Sequence, residues 1–141
     1  MTVADPHSGI IEAIRGSVLD IQFSHGLPGL DEMLFVRGTI PAEVRAHLSA
    51  DRVRAVALDN TAGLKRGDAA LRTGNGLSVP VGPRLLGGVV DGVGRPLDGG
   101  GPLPADAPLR SIHQPSPALS RRSARLEPQW TGIKIIDLLA P

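Results

Sequence analysis

From Gly9 to Gly82 the chain repeats one device: a short alternating stretch, then a break carrying glycine, proline or asparagine. Ser17–Phe23 sets Leu19, Ile21 and Phe23 on one face against Asp20 and Gln22, and Asp51–Leu58 sets Val53, Ala55 and Ala57 opposite Arg52, Arg54 and Val56. Side chains recurring every second residue belong to half-buried strands, not helices. Gly9–Arg15, Met33–Gly38 and Glu43–Leu48 are further strands, the last two separated by Pro41. The breaks fall at Gly16, at His25-Gly26-Leu27-Pro28-Gly29 and along the loop Asn60–Gly67. Asp68–Arg72 and Leu77–Val81 are expected to form a hairpin across Thr73-Gly74-Asn75-Gly76, because Asn-Gly supplies the positive φ of a tight turn. About six short strands at this spacing predict a small closed barrel. No strand carries obvious edge protection, which also favours closure.

The character changes after Pro83. Leu85–Val90 is expected to be one more strand, and Asp91–Pro108 is a long Gly/Pro-rich loop of the kind that is functional or flexible. Ser111–Arg125 is polar and proline-interrupted, with Arg121, Arg122 and Arg125 close together. Trp130–Pro141 is expected to be helical, Thr131 capping and Pro141 closing, with an Ile/Leu run that has nothing after it to pack on. Residues 1–8 are expected to be a disordered leader. Gly (18) and Pro (13) make up more than a fifth of the 141 residues, and the aromatics are Phe23, Phe35 and Trp130, so the core is aliphatic and light and a chain of this size should be marginally stable.

A net charge of +1 leaves no large field to draw the chain to nucleic acid or membrane. With no cysteine, disulfides, thiol catalysis and thiolate zinc sites are excluded. No apolar run approaches the roughly 18 to 20 residues of a membrane helix, and the N-terminus lacks a signal-peptide pattern, so a soluble intracellular protein is expected.

The candidate constellations are thin. Gly92-Val93-Gly94-Arg95-Pro96 invites a dinucleotide-loop reading, but the third glycine is missing and Pro96 prevents the helix whose N-terminus would hold phosphate; a tight turn fits better. Gly-x-x-x-x-Gly-Lys-Ser/Thr does not occur. His7, His25, His47 and His113 show no metal spacing, and acidic residues are single apart from Asp31-Glu32, so no pair is placed for acid–base work. Ser111, Ser116, Ser120 and Ser123 lack a nucleophile elbow. No catalytic, cofactor-binding or metal residue is assigned. An oligonucleotide-binding barrel would want a basic groove with stacking aromatics, which two phenylalanines and a near-neutral charge supply poorly.

Together these stretches resemble the N-terminal part of the β subunit of F-type ATP synthase. Gly16–Phe23 is similar to that family's first barrel strands, followed by its Leu-Pro turn at Leu27-Pro28. Glu43–Leu48 and Val53–Asp59 resemble its "EV..HL…VR.IA.D" stretch, Thr61–Gly67 its "T.GL.RG", and Val79-Pro80-Val81-Gly82 its barrel-closing "VPVG". Ile112-His113 resembles "PIH", and Thr131–Pro141 matches "TGIKVIDLLAP" almost throughout. Departures are Leu86-Gly87-Gly88 where "LGR" is usual, and Ser111 and Gln114 flanking Ile112-His113, in place of the proline and final arginine of "PIHR". Arg72-Thr73-Gly74, Pro96–Gly99 and Arg121-Arg122-Ser123 lean towards the α subunit. The whole resembles most the divergent β subunits of alternative bacterial F-type ATPases, the sodium-linked type included.

The resemblance implies a mainly β chain: a closed six-stranded barrel over 9–82, which in the family joins six alternating α and β subunits into a crown, then the incomplete start of an α/β nucleotide-binding domain over 83–141. The family's phosphate loop, metal-linked acid and catalytic glutamate lie downstream of Leu-Leu-Ala-Pro, so ATP, ADP and Mg are expected for a full-length parent and none for this chain. The implied partners are F-type α subunits, with no nucleic acid and with the membrane reached only through the complex, on the cytoplasmic side of a bacterial inner membrane. The implied role is ring assembly, through strand-edge and apolar contacts, within a complex that makes or hydrolyses ATP coupled to proton or sodium movement. A stand-alone adaptor or inhibitor of a related hexamer, and a small nucleic-acid-binding barrel, are the alternatives.

Overall fold

The computed structural model describes residues 7–99, 106–123, 125 and 127–139. Six strands, β1 (Ser8–Arg15), β2 (Val18–Phe23), β3 (Glu32–Val36), β4 (Ile40–His47), β5 (Arg52–Ala57) and β6 (Ala69–Gly76), close into an antiparallel barrel in the order β1-β2-β5-β4-β3-β6. The alternation of the sequence becomes the inside and outside of this barrel. Leu19, Ile21, Phe23, Val53 and Ala55 point inward, at most 2% exposed, with Ile11, Leu34, Val36, Val44 and the small Ala42 and Ala70. Extra residues at Glu12 in β1 and Arg45 in β4 interrupt the ladders. Such bulges add the local twist that lets so few strands curl shut. At one mouth Phe23 fills the lumen directly over Gly9, where an added Cβ would lie 2.7 Å from two ring carbons.

Three expectations need correction. Thr73–Gly76 is not a hairpin turn: it continues β6, because the Thr73 hydroxyl donates to Met33 O (2.6 Å) and the Gly74 amide donates to Glu32 Oε1 (3.0 Å), holding the stretch against β3. The next strand, β7 (Ser78–Pro80), therefore leaves the barrel and pairs with β8 (Leu109–Ser111), across the long loop. Pro41 does not separate strands but lies in β4 opposite Phe35, one residue from the strand start, where its missing N–H is tolerated. Leu85–Val90 is not a strand. A 3₁₀ turn at Pro83–Leu85 and left-handed Gly87 satisfy the backbone locally, through Leu86 N to Pro83 O and Gly88 N to Leu85 O, both 3.1 Å.

Residues 1–6 of the expected leader, and Ala140 and Pro141 of the tail, lie outside the described residues. Ser8 already belongs to β1, and His7 O accepts from Arg72 N at 3.0 Å. The tail forms α1 (Lys134–Leu139), which buries none of its residues. Its start is fixed by Thr131, whose Oγ1 accepts from Ile133 N (3.1 Å) and donates to Asp137 Oδ1 (2.6 Å). That hydroxyl holds the Asp137 carboxyl below its ordinary value.

Candidate functional site: the barrel exterior and its junction

Opposed residues of an antiparallel pair share a face. Outside the barrel, Ser8 faces Leu71, Leu71 faces Phe35 and Phe35 faces Pro41, so β1, β6, β3 and β4 carry one row of mainly apolar side chains. Ile10, opposite Ala69, widens it. Ile10 is 54% and Leu71 39% exposed, whereas Pro41 is buried. Each barrel strand is hydrogen-bonded on both sides, so the expected strand-edge contacts with neighbours are not open to it. Closure has consumed those edges, so the barrel wall presents side chains rather than open strand edges.

Much of the rest of the barrel wall is polar and internally paired, although Val18 and Val56 also face outward. Asp20 accepts from Arg54 Nε (2.8 Å), Arg54 Nη2 (3.1 Å) and Arg15 Nη1 (2.9 Å). The Arg54 hydrogen bonds, prevailing over burial, hold its carboxyl below the usual value. Glu32, 7% exposed, is desolvated, which pushes its carboxyl up; Arg72 at 3.2 Å and the amides of Gly29 and Gly74 outweigh that and lower it. Among the described residues every buried side-chain polar atom has a hydrogen-bond partner.

Two clasps join the barrel to the chain beyond β6. In the first, Arg95 spans Asp59 beyond β5 (2.7 Å) and Asp91 of its own turn (2.6 Å). Hydrogen bonding to Arg95 lowers the Asp59 carboxyl and in turn raises the guanidinium. In the second, His113 Nε2 lies 2.5 Å from Glu43 Oε1, and its Nδ1 lies 4.0 Å from Asp31 Oδ2. Arg45 Nη1 holds the other oxygen of each carboxylate, at 2.9 Å from Asp31 and 3.2 Å from Glu43. Asp31 reaches this position from a left-handed conformation (φ 62°) that Asp tolerates better than most residues. Asp31, Glu43 and His113 could offer a cation three ligand atoms within 4.8 Å of one another, but here the guanidinium and the imidazole already hold those carboxylates.

The residues singled out in the sequence are mostly kept apart. Gly92–Pro96 forms a tight turn, with left-handed Gly94 bonded through N to Asp91 O at 3.0 Å, and no helix continues from it. His47 Nε2 meets Pro28 O at 2.8 Å. Ser111 Oγ accepts from His113 N and Ser123 Oγ from Arg125 N, both local turns. Arg121, Arg122 and Arg125 are exposed, the last paired to Glu127 at 2.8 Å. The neighbours Asp31 and Glu32 serve different clusters. The pairing of Glu43 with His113, seventy positions apart, had no local signal in the sequence. A cleft of about 180 Å³ lined by Pro80–Leu85 and Asp106–Pro108 is apolar and smaller than the roughly 300 to 1,000 Å³ of small-molecule sites. Among the described residues no helix is long and apolar enough to cross a membrane.

Comparison with known proteins converges on the same region. Residues 11–74 match the family model of the ATP synthase alpha/beta family, beta-barrel domain. The chain is 46% identical over 136 residues to an ATP synthase subunit beta 2 of Cereibacter sphaeroides and 47% identical over 139 residues to one of Bradyrhizobium sp., covering 95% of this chain and 29% of the relative in both cases. An ATP synthase subunit beta 3 of Paraburkholderia xenovorans is 43% identical over 143 residues, covering 98% of this chain and 29% of that protein. The chain thus spans under a third of the length of these curated relatives. The barrel is thus the beta-barrel domain of the ATP synthase alpha/beta family, and the chain is similar to β subunits of that family over nearly all of its own length.

Proposed function

We propose that the chain is the N-terminal part of an F-type ATP synthase β subunit and that its task is ring assembly. The barrel packs against α-type neighbours in an alternating hexamer. The complete complex makes or hydrolyses ATP, coupled to proton or sodium movement, at the cytoplasmic face of a bacterial membrane. The observation that carries this reading is the closed barrel with an apolar row, exposed Ile10 and Leu71 beside half-buried Phe35, on an exterior that elsewhere carries several ion pairs. Exposed apolar side chains rimmed by paired charges are what a neighbouring subunit can bury. The reading assigns no nucleotide chemistry to the residues of this sequence, in which Gly-x-x-x-x-Gly-Lys-Ser/Thr does not occur.

Coexpression with a cognate α subunit, followed by size-exclusion chromatography and native mass spectrometry, tests the assignment. Co-elution that Ile10→Asp/Leu71→Asp weakens, with the barrel's circular dichroism unchanged, is the expected result. Failure of the parent chain to associate, or association indifferent to the double substitution, contradicts it. Salt-dependent binding to a single-stranded oligonucleotide would instead favour a nucleic-acid barrel.

A further inference from the structure

We infer that a charged depression on the barrel wall, lined by Arg15, Arg52 and Arg66, docks acidic side chains of a neighbouring subunit. The inference rests on the ring-assembly reading and gives the barrel a second interface. In an alternating ring each barrel meets two neighbours through different surfaces. The apolar row along β1, β6, β3 and β4 serves one of them. In the closed order β1-β2-β5-β4-β3-β6, β2 lies opposite β3 and β5 lies opposite β6, so the β2–β5 wall faces away from the middle of that row. The depression lies on this second wall, an open concavity of about 430 Å³ bordered by β1, β2, β5 and the loop before β6.

Its two carboxylates are already committed. Glu12, the extra residue of the β1 bulge, pairs with Arg52 Nε at 3.0 Å. Asp20 accepts from Arg15 (2.9 Å) and from two nitrogens of Arg54 (2.8 and 3.1 Å). Nearby Asp51, 4.0 Å from Arg52 Nε, is held by Gln22 and Ser49, both at 2.7 Å. Arg66 differs: among the described residues it makes no hydrogen bond or ion pair.

Three guanidiniums against two satisfied carboxylates leave the depression one positive charge in surplus, and Arg54 and Asp51 around it cancel each other. A guanidinium is a planar fork that takes a carboxylate bidentately, and Arg66 has its whole fork to offer. The Arg15 and Arg52 side chains, 64% and 47% exposed, keep further N–H groups accessible beside it. Charge matching of this kind selects the partner and its register more than it adds adhesion. The apolar row thus supplies contact area on one side, and the arginine depression reads an acidic face on the other.

Two titrations test this. In NMR of the full chain with a hexaglutamate peptide, the Nε–H signals of Arg15, Arg52 and Arg66 should shift, and the effect should fade as salt rises from about 0.02 to 0.2 M. Arg66→Gln, which strands no partner, should weaken peptide binding by about threefold or more, and Arg66→Lys should retain most of it. With a cognate α subunit, Arg66→Gln should weaken association and flatten its salt dependence, whereas Ile10→Asp/Leu71→Asp should weaken it at every salt concentration. Absent peptide shifts, or an α subunit that binds parent and Arg66→Gln alike, overturns the depression while leaving the apolar row standing. No association of the parent chain with the α subunit overturns the ring reading and this docking role together. A single-stranded oligonucleotide of equal charge that outcompetes the peptide overturns the acidic protein partner in favour of nucleic acid.

Discussion

Replacing Gly9 by alanine tests the packing of the barrel mouth. The new Cβ would lie 2.7 Å from Phe23 Cε1 and Cζ and 2.8 Å from Gln22 O, closer than the 3.0 Å below which real Cβ atoms essentially never approach. Neither neighbour can retreat freely. Phe23 is 2% exposed and packed into the core, and Gln22 is held in β2 between Ile10 of β1 and Arg52 of β5. Overpacking of this kind costs roughly 1–3 kcal/mol. Stiffening of the unfolded chain returns about 0.4–1 kcal/mol. With two ring atoms and a backbone oxygen all in conflict, the cost belongs near the top of its range, for a net loss of about 2 kcal/mol. Urea denaturation followed by far-UV circular dichroism should lower the midpoint by about 1 M, since m for small domains is about 1–3 kcal/mol/M. Phe23→Leu, which removes Cε1 and Cζ, should cost stability alone yet less in the Gly9→Ala background, a favourable coupling of about 1 kcal/mol. A Gly9→Ala midpoint equal to the parent's, or strictly additive double-mutant costs, would refute the close-approach argument.

Asp20→Asn should lower stability at neutral pH. Because the native carboxyl is held low by Arg54, its contribution is present above the ordinary carboxylate value and lost as pH falls through the native one. Denaturation midpoints of variant and parent should therefore converge as pH falls below the ordinary carboxylate value of about 4, and a constant gap there would contradict the sign. Glu32→Ala strands Arg72 and the Gly29 and Gly74 amides, costing about 2–3 kcal/mol in thermal melts, with Glu32→Gln intermediate; equal losses for both variants would mean that charge is not what matters there. Hydrogen exchange should find 134–139 nearly unprotected beside β2 and β5, because a six-residue helix with no buried side chain has little to hold it. Isothermal calorimetry of ATP should register no binding; micromolar affinity would show a nucleotide site built without the phosphate-loop motif.

The barrel was legible because its signal is local. Period-two alternation in Ser17–Phe23 and Asp51–Leu58 states which side chains face inward whatever the partners are, and glycine and proline mark where strands stop. The fate of Thr73–Gly76 was not legible. Asn-Gly favours a tight turn in isolation, and Glu32 and Met33, forty positions away, outbid it with hydrogen bonds. Leu85–Val90 has the composition of a strand, but its pairing stops at a single bridge from Val90 to Pro96, and local turns took the backbone of Leu85–Gly88.

By itself, then, the sequence determined the inward and outward faces of the strands and, through Leu27-Pro28, Val79–Gly82 and Thr131–Pro141, the family resemblance. Tertiary structure alone decided which polar residues meet. His113 with Glu43, Asp20 with Arg54 and Glu32 with Arg72 are separated by seventy, thirty-four and forty positions. No spacing rule reaches that far: such pairs exist because barrel closure and strand register bring distant backbone together, and the low-dielectric wall then rewards opposite charges that coincide there.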